Sequence, residues 1–183
     1  MKNSIAGIMS LFVIMLVSPA IAGNWTVDYA NSRLGFEAKQ GDAPFSGQFQ
    51  SFTADIAFDP QDLPSARIDV AIDMASATTG AADKDSALPG ADWFNTAEHP
   101  LATFKSTTVR ASGDNTYEAE GTLTIRDKST PLILPFTLTI DGGHAKAEGR
   151  VTIDRLDFGV GASQPEAIAS HAVDIIITIE ASR

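Results

Sequence analysis

The stretch YEAEGTLTIRDKSTPLILPFTLTI, residues 117–140, determines the fold class of this chain. Apolar and polar residues alternate through residues 117–125, and the alternation resumes through residues 132–140. A period of two places successive side chains on opposite faces of a β-strand. The segment RDKSTP between them, residues 126–131, carries turn residues and links the two runs as an antiparallel hairpin. The stretch therefore predicts two neighbouring strands that each have one apolar face.

The same period recurs along most of the chain. Further apolar alternation occurs at residues 34–38, 56–58, 68–74, 151–153 and 173–179. The turn segments SGDN (112–115) and DGGH (141–144) fit tight hairpins. These signals predict an all-β domain of about eight antiparallel strands, which either pair as two sheets or close into a barrel. No shift in composition indicates a second domain.

The N-terminal residues 1–22 are predicted to form a signal peptide. Lys2 supplies the positive start, an apolar run extends from residue 5 to residue 17, and Ala20-Ile21-Ala22 has the small-x-small pattern of a cleavage site. The run is shorter than the roughly 20 residues that a membrane-spanning helix needs. We expect cleavage after Ala22, which leaves residues 23–183 as one domain.

The composition excludes several classes of protein. The chain has no cysteine, so disulfide scaffolds and thiolate metal sites are excluded. Export without disulfides is typical of a bacterial periplasm, which is the predicted location. The chain carries 13 Lys and Arg against 23 Asp and Glu, a formal net charge of −10. That charge repels phosphate backbones and anionic lipid surfaces, which predicts no nucleic-acid partner and no stable membrane insertion.

Catalytic and metal-binding signatures are missing from the sequence. The three histidines, His99, His144 and His171, have no zinc-type spacing. The chain lacks a G-x-S-x-G motif, a cysteine nucleophile and a P-loop. Its carboxylates lie on alternating strands, as expected of a solvated face. The sequence therefore predicts no catalytic residue, no metal and no enzyme, although a paired-carboxylate site stays open as an alternative.

The stretch PGADWFNTAEHP, residues 89–100, interrupts the β pattern with short helical turns. Residues 83–88 just before it can form one or two helical turns, with Asp83 as the N-cap. We expect this connector to close one end of a barrel. Whether Trp93 and Phe94 line a cavity there or cover a filled core stays open.

Five stretches resemble the YceI-like family of exported proteins. They are WTVDYANSRLGFEAK (25–39), GQFQSFTADIAFDP (47–60), SATTGAADKDSALPGADWFNTAEHPLATFKST (76–107), GTLTIRDKSTPLILPF (121–136) and RLDFGVG (155–161). They cover nearly all of the chain after residue 22, in order. One departure is Lys84, where members often carry Arg; Lys keeps the charge but loses the bidentate fork.

The resemblance implies an extended, lipocalin-like antiparallel β-barrel with a short helical connector capping one end. It also implies an elongated apolar cavity for a polyisoprenoid or a similar lipid, such as an isoprenoid quinone, with no other cofactor. An inner-membrane cytochrome is a partner that the resemblance suggests, and a dimer is left open. A barrel of eight strands either fills with side chains or holds one slim ligand, and periodicity alone favours the filled core.

Candidate site residues follow from the inward apolar faces and the connector. The predicted cavity lining is Phe36, Phe49, Phe52, Phe58, Ile72, Met74, Trp93, Phe94, Phe104, Leu123, Ile125, Leu134, Phe136, Leu138 and Phe158. The candidate contacts for a polar head group are Lys84, Asp85, Arg126 and Ser129. The predicted function is a periplasmic lipid carrier; the alternatives are an enzyme acting on a lipid or sugar derivative inside the barrel and a packed structural or stress-related protein.

Overall fold

The structure is a computed structural model that describes residues 23–183, so the signal peptide predicted for residues 1–22 lies outside the described residues. The strands are β1 (Asn24–Val27), β2 (Arg33–Gln40), β3 (Ala43–Phe49), β4 (Phe52–Ala57), β5 (Arg67–Asp73), β6 (Ala77–Thr78), β7 (Leu101–Gly113), β8 (Thr116–Ile125), β9 (Lys128–Asp141), β10 (His144–Asp154) and β11 (Ala172–Ser182). One α-helix, α1 (Ala82–Ala87), and three 3₁₀ helices, Leu63–Ser65, Met74–Ser76 and Arg155–Phe158, complete the described elements.

The eleven strands form one antiparallel sheet that closes on itself as an eight-stranded barrel. The first strand is bent at residues 28–32 into β1 and β2, and the second is bent at residues 50–51 into β3 and β4. The third is bent in the same way into β5 and β6. On one side β11 pairs with β10, and on the other it pairs with both β1 and β2. The prediction of an all-β, lipocalin-like barrel is confirmed.

Tight turns join the long strands. Two-residue turns connect β2 to β3, β7 to β8, β8 to β9 and β9 to β10. Each contains a residue with positive φ, namely Gly41, Asn115, Arg126 or Gly142. Such turns match the right-handed twist of antiparallel strands and fix their register.

The end of the barrel that holds the β7–β8 and β9–β10 turns is filled by aromatic side chains. Phe58 meets the Tyr117 ring edge-on at 5.1 Å, and Tyr117 stacks on Phe136 at 5.5 Å. Trp25 Nε1 donates a hydrogen bond to the carbonyl oxygen of Phe58 at 3.0 Å. Leu138 is buried beside this cluster. We call Trp25, Phe58, Tyr117 and Phe136 the aromatic plug, because they close this end from within.

The opposite end of the barrel is covered by two connectors. The first contains α1 and the turns of residues 88–100, and the second is the loop of residues 159–171. Asp83 was expected to cap α1, but the helix begins at Ala82 after Ala81, whose side chain cannot cap. Asp83 lies in the first turn instead, where a negative charge favours the helix N-terminus. Among residues 23–183, no helix is long and apolar enough to cross a bilayer.

The aromatic plug generates a stability prediction. Phe58 is 3 % exposed, so we expect Phe58→Ala to lower the free energy of unfolding by about 3–5 kcal/mol. Phe52→Ala is the matched control, because Phe52 is only partly buried, against Tyr29. Urea denaturation followed by circular dichroism measures both variants. An equal or larger loss at Phe52 would contradict the assignment of the plug.

Candidate functional site

An apolar cavity of about 190 Å³ lies between the aromatic plug and the two connectors. Its volume is many times what one water molecule requires. Its walls come from β2, β3, β5 and β7 to β11, together with the connectors. Among the described residues, Arg155 is the only charged residue in the wall, and the others are apolar.

Glycines opposite aromatic rings keep the cavity open. The Phe36 ring lies flat against Gly47 on the neighbouring strand, where a Cβ would overlap the ring. The Phe104 ring also lies close to Gly121, where a Cβ would come within 2.8 Å of the ring and within 2.4 Å of the Lys105 carbonyl oxygen. A ring that rests on bare backbone runs along the wall. With a side chain in place of the glycine, the aromatic ring would have to move toward the middle of the barrel and would fill part of the cavity.

The connector aromatics Trp93 and Phe94 both line the cavity. The Phe94 ring lies 6.0 Å from that of Phe49. Trp93 packs on Gly161 of the second connector, whose N–H donates to the Asp92 carbonyl oxygen at 2.6 Å. The two connectors are therefore joined above the cavity, and space remains beneath the aromatics.

Arg155 holds the second connector in place. Its guanidinium group donates hydrogen bonds to the carbonyl oxygens of five connector residues: Val160, Gly161, Gln164, Ala169 and Ser170. The residue is only 4 % exposed, and burial lowers the pKa of its guanidinium group. Its Cζ also lies 6.0 Å from the centre of the Trp93 ring. Because its donors are used by the backbone, Arg155 is a structural clamp, although it lies in the cavity wall.

The structure places eleven of the fifteen predicted lining residues in the cavity wall. They are Phe36, Phe49, Ile72, Met74, Trp93, Phe94, Phe104, Leu123, Ile125, Leu134 and Phe158. The other four lie elsewhere. Phe58 and Phe136 belong to the aromatic plug and Leu138 packs beside it, while Phe52 packs edge-on against Tyr29 at 5.3 Å. The alternation in the sequence shows that these side chains point inward, but it does not show how far along the barrel axis each one lies.

The prediction missed one wall of the cavity. Strands β10 and β11 contribute Val151, Ile153, Val173, Ile175, Ile177 and Ile179. The alternation of these residues predicts strands. It includes no aromatic residue, and the lining was predicted mainly from aromatic residues. Arg155 was also missed as a wall residue, although the RLDFGVG motif contains it.

Lys84 and Asp85, two of the predicted polar contacts, lie on α1 outside the cavity wall. Asp85 accepts hydrogen bonds from the Thr78 hydroxyl, the Thr79 N–H and the Thr79 hydroxyl, which lower its pKa to about 2. It therefore fixes α1 to β6. Lys84 Nζ lies 5.6 Å from the centre of the Phe45 ring, and Phe45 is a wall residue.

Arg126 and Ser129, the other two, lie on the hairpin that joins β8 to β9. Arg126 donates to the carbonyl oxygens of Gly159 at 2.7 Å and Trp93 at 3.4 Å, so it bridges both connectors. The Ser129 hydroxyl pairs with that of Thr124 at 2.8 Å on the neighbouring strand. Neither residue lies in the cavity wall.

The chemistry of the site is apolar. Every buried side-chain nitrogen or oxygen within residues 23–183 has a hydrogen-bond partner. In the same part of the chain, no three His, Asp or Glu residues are grouped so as to hold a metal ion. The cavity can therefore take a hydrocarbon chain, and the described residues that line it present no free polar group to a buried head group.

The fold and the cavity define a class of protein: a closed antiparallel β-barrel with an apolar internal site. The YceI-like domain matches residues 25–181, and the chain belongs to this family. Protein YceI of Escherichia coli O157:H7 is 28 % identical over 191 residues, covering 98 % of this chain and 97 % of that protein.

Solved structures share the fold. The crystal structure of BcnA from Burkholderia cenocepacia is 31 % identical, with a TM-score of 0.82 over 86 % of this chain and all of that one. A polyisoprenoid binding domain from Saccharophagus degradans, implicated in plant cell wall breakdown, has a TM-score of 0.72 at 14 % identity. It covers 88 % of this chain and 98 % of that domain, and at that identity the likeness concerns the fold alone.

The Arg155 clamp generates a second prediction. We expect Arg155→Lys to lower the free energy of unfolding by about 2–4 kcal/mol, because an ammonium group cannot reach five carbonyl oxygens and leaves several unpaired. Arg150→Lys is the control, since exposed ion pairs contribute only about 0–1 kcal/mol and Arg150 lies on the surface. Chemical denaturation measures both. Equal losses would show that the Arg155 hydrogen bonds do not hold the connector.

Proposed function

We propose that this protein is a non-enzymatic, periplasmic carrier that holds a polyisoprenoid or a similar long apolar lipid inside its barrel. The single observation that carries the proposal is the cavity wall, which is apolar apart from an arginine whose donors are already used. The proposed contacts are the eleven predicted residues that the wall contains, joined by the isoleucines and valines of β10 and β11.

An empty cavity of this size would be costly. At roughly 24 cal/mol per Å³, 190 Å³ of unfilled space costs on the order of 5 kcal/mol. The net stability of a domain is typically only about 5–15 kcal/mol. A ligand that fills the space therefore stabilises the fold as well as gaining affinity.

The cavity favours a hydrocarbon chain over a polar ligand. Each buried CH₂ contributes about 0.8 kcal/mol, so one five-carbon isoprene unit contributes about 4 kcal/mol before the cost of ordering the chain. A sugar or charged metabolite would lose its hydrogen bonds to water and find no replacements in this wall. The polyisoprenoid binding domain of Saccharophagus degradans, which shares the fold, supports this class of ligand.

The cellular location of this protein and its partners are likewise proposed. The predicted signal peptide and the family resemblance support the periplasm. An inner-membrane cytochrome is a proposed partner, the oligomeric state is left open, and an isoprenoid quinone is one candidate within the ligand class. We favour a carrier over an enzyme because, within residues 23–183, the cavity wall includes no nucleophile and no general acid or base.

Native mass spectrometry of the protein exported from its own host tests the proposal. We expect an apolar adduct that is lost on solvent extraction. Ala102→Phe places a ring in the cavity from a buried wall position. It displaces roughly one isoprene unit, so affinity should fall by about two orders of magnitude or more.

Thr103→Phe is the matched control, because successive side chains of a strand point to opposite faces. The control should keep its adduct. A folded wild-type protein without any adduct would argue for the packed structural protein. Equal adducts in both variants would place the lipid outside the cavity.

A further inference from the structure

The hydrogen-bonded ladder between β9 and β10 covers only half of their length. It runs from Asp141 paired with His144 to Phe136 paired with Gly149, and ends there. Beyond that point, Lys128–Pro135 of β9 and Arg150–Asp154 of β10 do not pair with each other. The first segment stays paired with β8 and the second with β11. We call this gap in the barrel wall the β9–β10 slot.

Two prolines on β9 account for the missing ladder at the slot, because they lack the N–H donors that it would need. Leu138 donates its N–H to the Asn115 carbonyl at the β8 edge, and N–H groups alternate in direction along an antiparallel strand. The odd-numbered residues of β9 therefore direct their N–H groups toward β10. Pro131 and Pro135 are odd-numbered and have no N–H. The β10-facing edge of β9 thus lacks alternate donors along the length of the slot.

Side chains on both edges are anchored away from the slot. On β10, Arg150 donates to Glu37 and Asp174, each at 2.7 Å. The Thr152 hydroxyl also donates to Asp174, and the pKa of that carboxyl is lowered by Thr152 first and Arg150 second. These contacts tie β10 to β11 and β2. On β9, the Ser129 hydroxyl pairs with β8.

The slot leads to the cavity. A small cleft at the surface is lined by Thr130 and Pro131 from β9 and by Thr152 and Asp154 from β10. It shares Leu123, Leu132, Ile153 and Phe158 with the wall of the apolar cavity. The surface cleft and the apolar cavity therefore border the same four residues at this point in the wall.

The covered end of the barrel is a harder route. Opening it means separating the two connectors, which are joined through Asp92 and Gly161 and bridged by Arg126. The Arg155 clamp would also have to release its carbonyl oxygens. Widening the slot breaks no hydrogen bond of the β9–β10 ladder, because none is formed there.

We propose that the β9–β10 slot is the portal through which an apolar chain enters and leaves the barrel. The inference rests on the proposed function, since it assigns a route to the proposed ligand. Loading then takes place through the side wall, by rotation of side chains such as Leu132 and Ile153, while the two connectors stay closed.

A reversible cross-link across the slot tests the portal. The double variant Ile133→Cys, Thr152→Cys places thiols where an extended ladder would pair the strands, and both positions are exposed. The control is Thr137→Cys, Glu148→Cys, an exposed pair on the same strands within the ladder. The chain has no native cysteine, so a short bis-methanethiosulfonate reagent reacts only at these sites. Each cysteine thiolate forms a disulfide with the linker and releases methanesulfinate, and a reductant later cleaves both disulfides.

The measured quantity is the rate at which delipidated protein takes up and releases all-trans-retinol, an isoprenoid alcohol followed by its fluorescence. We expect the slot cross-link to slow both rates at least about tenfold, as for a closed gate, and reductant to restore them. The control cross-link should change neither rate. Thermal melting by circular dichroism confirms that both cross-linked variants are folded.

If the slot cross-link leaves the rates of retinol uptake and release within about twofold of those of the control, the portal is wrong. The proposed function still stands in that case, because the protein binds retinol. If the unmodified protein takes up no retinol and the exported protein carries no lipid, the proposed function fails and the portal fails with it. The two failures are therefore distinguishable in one series of samples.

Discussion

The closed ring of eight strands fixes how wide the barrel is, and every other feature depends on that width. β11 closes the ring by pairing with β10 on one side and with both halves of the first strand on the other. At this width, side chains decide whether the interior fills. At one end the aromatic plug crosses the middle. Above it, the Phe36 and Phe104 rings lie on Gly47 and Gly121, so the middle stays open.

An open interior places demands on the rest of the structure. The connectors must cover it without polar groups of their own left unpaired, and Arg155 meets this need by donating to five carbonyl oxygens. The wall must also admit a ligand, and the half-length ladder between β9 and β10 leaves a place for that. A rigid cover above the cavity and a slot in its side fit a carrier, because a ligand can be shielded from water and still be released.

The sequence predicted the barrel well because its signals are local. Alternation identified β5, β8, β9 and β11, and turn residues identified the hairpins between the long strands. β3, APFSGQF, was missed because Gly47 stands where an alternating apolar residue would be, and the apolar group there is the Phe36 ring of the next strand. The site was predicted less well, since period two shows which face of a strand points inward but not how high along the barrel each residue lies. Phe58 and Phe136 share the inward face with Phe36, yet they fill the plug.

A crystal structure of the protein purified from its own host, without delipidation, shows whether the open interior holds a lipid. We expect continuous electron density for a hydrocarbon chain along the cavity, in contact with Phe36, Phe104 and Ile175, with the glycine-backed rings flat against the wall. Side chains that meet across the middle above the aromatic plug, or a cavity that holds only ordered water, would contradict it.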